Sequence, residues 1–412
     1  MSAETIPDVV HLLSDLVAID TAHPAGNEGK AAALLAEIMS RHGFEVEVEE
    51  IEPGRSNLLA RVEFGAAGPA KPTVMLNSHL DVVPAGPGWS VTPFTAVEKG
   101  GRLYGRGAAD AKASLASMAV AAMGLCRPDE AGELSGTLVY TAVIDEEAGS
   151  AGVQRLLDQH RADGAIVGEP TGGHLFTAHQ GSVCPVVEVT ARTAPTAQTA
   201  RTARTAPAGR SAHARASNSG ANAIVHAAAL IELIGDYDRV LAGRGHMLVG
   251  APTVTPVLVE GGEAYGSVPE RCRLTLDRRL VPGETEKDAL MEIEQLLAQF
   301  NTDYAPVTAR VVDYAPTTGG PSETPTGHPF VVSCQRGLAE AGLAVQVGGL
   351  GVGCDMTHFR AAGIPCVVTG PGAVEAMHIV DEYVDLDEVR RSVRTYDALV
   401  RELLRPGATW WR

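Results

Sequence analysis

Aromatic residues make up only 4% of the 412 residues, 33 Lys and Arg face 50 Asp and Glu, and the six cysteines are scattered. Each shortage excludes something. A formal net charge of −17 argues against nucleic acid or an anionic membrane as partner, because neither is steered toward an acidic surface. Cys126, Cys184, Cys272, Cys334, Cys354 and Cys366 form no C-x-x-C pair and mostly lie in apolar runs, so buried reduced thiols are expected, not a disulfide framework or a thiolate metal site. No apolar run approaches the roughly 20 residues of a membrane span. The opening MSAETIPDVVHLLSDLV lacks a basic segment followed by an unbroken apolar core, so it reads as a first helix and the cytoplasm is the expected compartment. At 45% hydrophobic and 20% charged residues, the chain has the composition of a globular protein.

At about 150 residues per domain, the length predicts two or three domains, one large and one smaller. Helical spacing of apolar residues covers 7–19 and 28–42, the latter closing at Gly43. Short apolar runs follow at 44–51, 57–64 and 73–78, an Ala- and Met-rich helix at 112–125, and strands at 137–144 and 164–168. Such alternation predicts a layered α/β domain around a mostly parallel sheet. After Gly181 the order becomes strand 183–190, helix 220–235, strands 252–260 and 271–278, helix 285–299 and strand 306–313. This βαββαβ order predicts a ferredoxin-like domain over 182–314, inserted between the first part of the main domain (1–181) and its second part (315–412). The α/β pattern returns with helix 329–341, strands 344–348 and 365–369, and helix 386–404. Between Thr190 and Arg210 lies a Thr-Ala tract with Arg192, Arg201, Arg204 and Pro but no acid or large apolar side chain. It can bury too little to offset its ordering entropy and reads as an inserted loop; a basic arm contacting an acidic surface is the rival reading.

The acids and histidines that stand where strands give way to loops are His79, Asp81, Asp110, Glu146, Glu147, Glu169 and His378. α/β proteins place side chains for chemistry at such positions. Imidazole and carboxylate are ligands of zinc-like cations, and one bridging carboxylate lets two such ions sit roughly 3.5–4 Å apart around a shared water. In MLNSHLDVVPAG a strand ends at His79, and Asp81 is placed to hold the second ring nitrogen. GRLYGRGAADAKASLA puts Asp110 at the start of a helix, where the dipole favours an anion; an ordinary Asp N-cap is the plainer reading. In TAVIDEEAGS the adjacent Glu146 and Glu147 diverge, so one can bind metal while the other serves as general base; a solvated acidic turn is the alternative. IVGEPT supplies Glu169 and VEAMHIVDEYV supplies His378, whereas His11, His42, His160 and His226 sit in helix-like stretches without partners.

Taken in order, His79-x-Asp81, Gly105-Arg106-Gly107-x-x-Asp110-x-Lys112, Asp145-Glu146-Glu147, Gly168-Glu169-Pro170-Thr171, Gly209-Arg210-Ser211-Ala212-His213, Asp277-Arg278-Arg279 and Met377-His378 resemble the di-zinc metallohydrolases that include acetylornithine deacetylase, succinyl-diaminopimelate desuccinylase, aminoacylase and carboxypeptidase G. The resemblance implies two divalent metal ions per chain, zinc with cobalt or manganese as alternatives. It further implies that Asp110 bridges them, His79 and Glu169 bind one, and Glu147 and His378 bind the other. By the same resemblance Glu146 is the general acid/base and Asp81 orients His79. His213 in the inserted lid and dimerisation domain would reach the partner protomer's site in a homodimer, and Asn222 and Arg279 would hold a substrate carboxylate. One departure is Gly266, in GSVPERC, where the family often has Asn. The activity implied is hydrolysis of the amide of a small N-acyl amino acid. A di- or carboxypeptidase with the same site is one alternative. The other is a non-catalytic metal-binding assembly protein, against which the presence of Glu146 weighs.

Overall fold

A computed structural model describes residues 5–24, 26–65, 71–191, 222–262, 264–265, 267–343 and 346–412. Arg192, Arg201, Arg204, Arg210, the His213 motif and Gly266 lie outside the described residues. The chain divides into two compact units, one of residues 1–179 and 322–412, the other of 180–321.

The first unit is the layered α/β domain that strand and helix alternation predicts. Its nine-stranded sheet runs Glu45–Glu52, Arg55–Phe64, Gly136–Val143, Thr73–His79, Gly164–Val167, Cys366–Val368, Leu175–His179, Ser322–Glu323, with Val347–Leu350 paired to Leu175–His179. Gly136–Val143, Thr73–His79, Gly164–Val167 and Cys366–Val368 are mutually parallel, and the first two strands pair antiparallel at one edge. The central strands are buried almost throughout, which is why they read as continuous apolar runs instead of alternating ones. Helix Lys112–Leu125 is built of small and apolar residues and is buried on nearly every side, as expected of a helix packed between layers. Helix Leu386–Leu403 is amphipathic: Val389, Tyr396, Leu399, Val400 and Leu403 are buried, while the Asp385 side chain caps its start by accepting from Asp387 N at 3.0 Å.

Some elements escape sequence reading. Helix Ala151–Gln159 follows Gly149-Ser150 and offers only nine residues of periodicity. The strands of a small sheet, Val97–Lys99, Arg102–Tyr104 and Tyr383–Asp385, are three residues each, below the length at which a period of two is visible. All six cysteines are free, four of them buried, and burial pushes the Cys126 thiol up to about 12.

The second unit carries a four-stranded antiparallel sheet, ordered Thr253–Gly261, Arg271–Leu280, Gly181–Thr190, Thr308–Ala315. Helices Ala223–Leu241 and Glu286–Asp303 join it through Ala227, Leu230, Ile234, Ile293, Leu297 and Phe300, which cluster with Val187, Leu274 and Leu276. Strand order and helix placement are those of a ferredoxin-like domain. Ala191, the first residue of the Thr-Ala tract, is buried and its N–H bonds Glu270 O at 2.9 Å, so the strand's pairing extends into the tract's first residue.

One close approach ties the sheet to its helix. A Cβ on Gly168 would lie 2.7 Å from Ser114 Cβ and 2.8 Å from Met118 Cε. Gly168→Ala is therefore expected to destabilise the protein by about 1–3 kcal/mol through overpacking, read as a lower Tm in a thermal melt. An unchanged Tm would show that the helix yields.

Candidate metal centre

Three neighbouring parallel strands deliver acids and a histidine to one edge of the sheet. His79 is the last residue of Thr73–His79, Gly136–Val143 runs on into Asp145, Glu146 and Glu147, and Gly164–Val167 runs on into Glu169. Carboxyl ends of parallel strands are where open α/β sheets leave a crevice. Asp110 comes from the loop before helix Lys112–Leu125, and His378 from the loop before Tyr383–Asp385. Asp110 is not the helix's N-cap; Ala111 holds that position without a side-chain cap bond, which leaves the carboxylate for the cluster.

Two groups of potential ligands result among the described residues. One ligand atom from each of His79, Asp110 and Glu169 lies within 4.8 Å of the others, and the same holds for Asp110, Glu147 and His378. Asp110, 3% exposed, belongs to both. Its Oδ1 is 3.2 Å from His79 Nε2 and its Oδ2 is 2.9 Å from His378 Nε2. His79 Nε2 is also 3.8 Å from Glu169 Oε2, and His378 Nε2 is 3.0 Å from Glu147 Oε1. Asp145 and His378 both adopt left-handed backbone, φ 70° and 60°, and non-glycine residues held there concentrate at functional sites. Asp145 is anchored by Arg55, whose Nη2 is 3.2 Å from Asp145 Oδ1 and 2.7 Å from the buried Glu28 Oε1.

Do these residues fit divalent cations? Glu169 Oε1 is buried without a hydrogen-bond partner among the described residues, an arrangement that costs free energy unless something electropositive faces it. Burial pushes the Glu169 carboxyl up to about 8 and holds Glu146 well above the ordinary carboxylate range. Against the pull of burial, hydrogen bonds with Asp110 and Glu147 raise His378 to about 10. Protons thus gather where positive charge is lacking, and a cation at the same atoms would displace them. Imidazole nitrogen and carboxylate oxygen are the donors that zinc, cobalt and manganese accept, so the residues fit.

The other expected site residues fall as follows. His79 Nδ1 donates to the Asp81 main-chain carbonyl at 2.9 Å, with Asp81 Oδ1 3.6 Å away. A carbonyl only accepts, so Nδ1 carries the hydrogen and Nε2 is left to face Asp110 and Glu169. The fully buried Asp81 carboxylate instead accepts from Glu146 N at 3.1 Å and Glu147 N at 3.0 Å, so it also fixes the turn carrying both glutamates. Glu146 is 6% exposed and belongs to neither ligand group. Asn222 and Arg279 lie in the second unit. Asn222 Oδ1 caps helix Ala223–Leu241, accepting from Ile224 N at 2.9 Å, and Arg279 Nε donates to Asp277 Oδ2 at 3.0 Å. The structure thus gives both a partner near in sequence. His213 lies outside the described residues.

Sequence reading passed over several buried polar groups around this cluster. Asn77 Nδ2 donates to Asp355 Oδ2 at 3.0 Å, with both residues buried. Glu382, fully buried, accepts from Arg106 Nη1 at 2.6 Å. The only signal for Glu382 is an acid wedged between the His378 loop and an apolar strand, which reads equally as a solvated turn.

Residues 75–402 match the family model described as Peptidase family M20/M25/M40. The chain is 30% identical to an acetylornithine deacetylase of Edwardsiella ictaluri over 93% of its own length and 94% of that protein's. It is 26% identical to an N-formyl-4-amino-5-aminomethyl-2-methylpyrimidine deformylase of Bacillus subtilis over 93% of this chain and 91% of the relative. Among solved structures, a tripeptidase of Staphylococcus aureus superposes with TM-score 0.74 at 20% identity, covering 99% of this chain and all of the other. A dinuclear metal-binding peptidase of Bacillus subtilis superposes with TM-score 0.64 at 14% identity, covering 96% and 97%.

Proposed function

The chain belongs to the peptidase family M20/M25/M40, and on that premise we propose that it is a metal-dependent hydrolase of the amide bond in N-acyl amino acids. The observation that carries this reading is the division of labour among the acids: Asp110 stands in both candidate ligand groups and Glu146 in neither. In this reading Asp110 would be shared by two divalent cations, zinc with cobalt or manganese as alternatives, with His79 and Glu169 holding one and Glu147 and His378 the other. Bound there, the cations would supply the Lewis acidity that polarises the acyl carbonyl and acidifies the attacking water. Glu146 takes the proton of the attacking water and returns it to the leaving amine. Its burial raises its proton affinity, which suits a group that must hold a proton between two steps. Asp81 keeps Glu146 and Glu147 in register through their N–H groups.

Acetylornithine deacetylase and deformylase relatives support a deacylase over a peptidase, with small acyl groups such as acetyl or succinyl on an amino acid. The test is a panel of N-acetyl and N-succinyl amino acids against dipeptides, with the purified protein reconstituted with zinc, cobalt or manganese. The deacylase reading expects the N-acyl amino acids to be turned over with the higher kcat/KM; preference for dipeptides would make the protein a peptidase. Asn222 and Arg279 are offered as contacts of the substrate carboxylate, each having first to share its present partner.

Pairing of two chains through the second unit belongs to the same reading. Strand Thr253–Gly261 ends the four-stranded sheet and carries Val257, Leu258 and Val259, each more than half exposed. An apolar edge of that kind, without a strand partner on its outer side among the described residues, is a ready template for another strand. In a homodimer so built, His213 would stabilise the oxyanion in the partner's site. Mixing inactive His213→Ala chains with inactive Glu146→Gln chains is then expected to regenerate activity, because one site in each mixed dimer has both groups. No recovery in heterodimers verified by native mass spectrometry would refute the shared site. Free cysteines support the reducing cytoplasm as its compartment, and no described helix is long and apolar enough to cross a membrane.

A further inference from the structure

We propose that Glu382, which is not itself a candidate ligand, is the positioning residue that fixes Asp110 between the two cation sites by tying the Asp110 loop to the His378 loop. The inference rests on the two-cation reading above. Its basis is a single buried side chain that collects donors from one short stretch. Glu382 Oε1 accepts from Ala109 N at 2.9 Å and Asp110 N at 3.1 Å. Its Oε2 accepts from Arg106 Nη1 at 2.6 Å, and its main-chain carbonyl from Gly105 N at 3.0 Å. Four donors within residues 105–110 thus meet one residue that lies four positions after His378. Asp110 and His378 are members of the same ligand group, so the tie sets the distance between two ligands far apart in sequence.

The chemistry of the tie explains why it is ionic. A buried carboxylate is costly unless its oxygens are satisfied and its charge is compensated. Arg106, 2% exposed, supplies that charge, so Glu382 adds little net charge beside the acids of the cluster. Charge-assisted bonds to main-chain N–H groups are shorter and stronger than neutral ones. They therefore hold the backbone of Asp110 against the pull of two cations on its carboxylate. The adjoining turn is pinned as well: Asp381, at φ 57°, accepts from Ser90 N at 2.8 Å.

The test uses the full chain and Co(II) as probe, read by titration calorimetry and by the visible d–d spectrum of the bound ion. Glu382→Gln keeps the side-chain size and one acceptor but loses the charge. We expect its affinity for at least one Co(II) to fall about tenfold or more, the range seen when groups holding a ligand are removed. The spectrum should shift, and kcat should drop with KM within about twofold. Arg106→Met added to Glu382→Gln removes the unpaired buried cation. It is expected to recover Tm but not Co(II) affinity. Glu382→Asp serves if the Gln variant fails to fold. It keeps the charge toward Arg106, is one methylene too short to reach both N–H groups, and should bind Co(II) more weakly than wild type. Wild-type affinity and spectrum in folded Glu382→Gln or Glu382→Asp would overturn the proposal. So would recovery of affinity together with Tm in the double variant, since Glu382 would then only neutralise Arg106. Failure of the two-cation reading has its own signature: wild type binding fewer than two ions, or Asp110→Ala binding as wild type does.

Discussion

Glu146→Gln is expected to retain two cations per chain and yet lose at least about 10²-fold in kcat, because on the proposed reading it removes the general base and no ligand. The geometry makes the two halves of that statement separable. Glu146 and Glu147 are adjacent and both mostly buried, and both main-chain N–H groups are held by Asp81. The substitution therefore leaves the turn intact. Only Glu147 has a carboxylate oxygen beside His378, at 3.0 Å, and only Glu147 falls in a candidate ligand group. Glu147→Gln is accordingly expected to lose or weaken one ion. Metal analysis after dialysis, together with kcat on an N-acyl amino acid, distinguishes the two variants. If Glu146→Gln loses the ion while Glu147→Gln keeps both, the roles must be exchanged.

How much of this was legible in the sequence depends on what each residue's signal is made of. The strands of the main sheet are short apolar runs, and acids or histidine at their ends stand out because nothing else about a buried strand invites charge. His79, Glu146, Glu147 and Glu169 were visible for that reason. Asp110 and His378 sit in loops without a period; an acid at a helix start and a loop histidine marked them as candidates, and the ordered motif resemblance gave them their roles as ligands. The partners of Asp81 were not legible. Its spacing from His79 pointed at the imidazole, whereas its carboxylate accepts from the Glu146 and Glu147 N–H groups, contacts made across strands that sequence does not pair. The pairing of Glu382 with Arg106, a residue of the Gly105-Arg106-Gly107 motif, was not legible either, since a chain's periodicity carries no trace of a salt bridge between distant segments. Asn222 carries a local signal of its own. An Asn directly before an apolar helix is an N-cap signature, and its side chain caps Ala223–Leu241. Arg279 and Asp277, two residues apart on strand Arg271–Leu280, share one of its faces and pair with each other there.

The sharing of Asp110 leads to the largest expected effect, and one that separates by substitution. Its two oxygens face different groups: Oδ1 is 3.2 Å from His79 Nε2, on the Glu169 side, and Oδ2 is 2.9 Å from His378 Nε2, on the Glu147 side. Alanine removes both donors. Each cation would then keep only two of its protein ligands, and the buried acids that remain could no longer be brought together by a bridge. Asp110→Ala is therefore expected to lose both ions on dialysis and to fall about 10³-fold or more in activity, since the polarised carbonyl and the acidified water go with them. Asparagine keeps one carbonyl oxygen and replaces the other by an NH₂ group, a donor that cannot bind a cation. Asp110→Asn should accordingly hold close to one ion per chain. Metal content by mass spectrometry of dialysed protein, with far-UV circular dichroism to verify the fold, reads both outcomes. Two ions retained by folded Asp110→Ala would remove Asp110 from the bridging position, and equal losses in the Asn and Ala variants would mean that the two cations bind only as a pair.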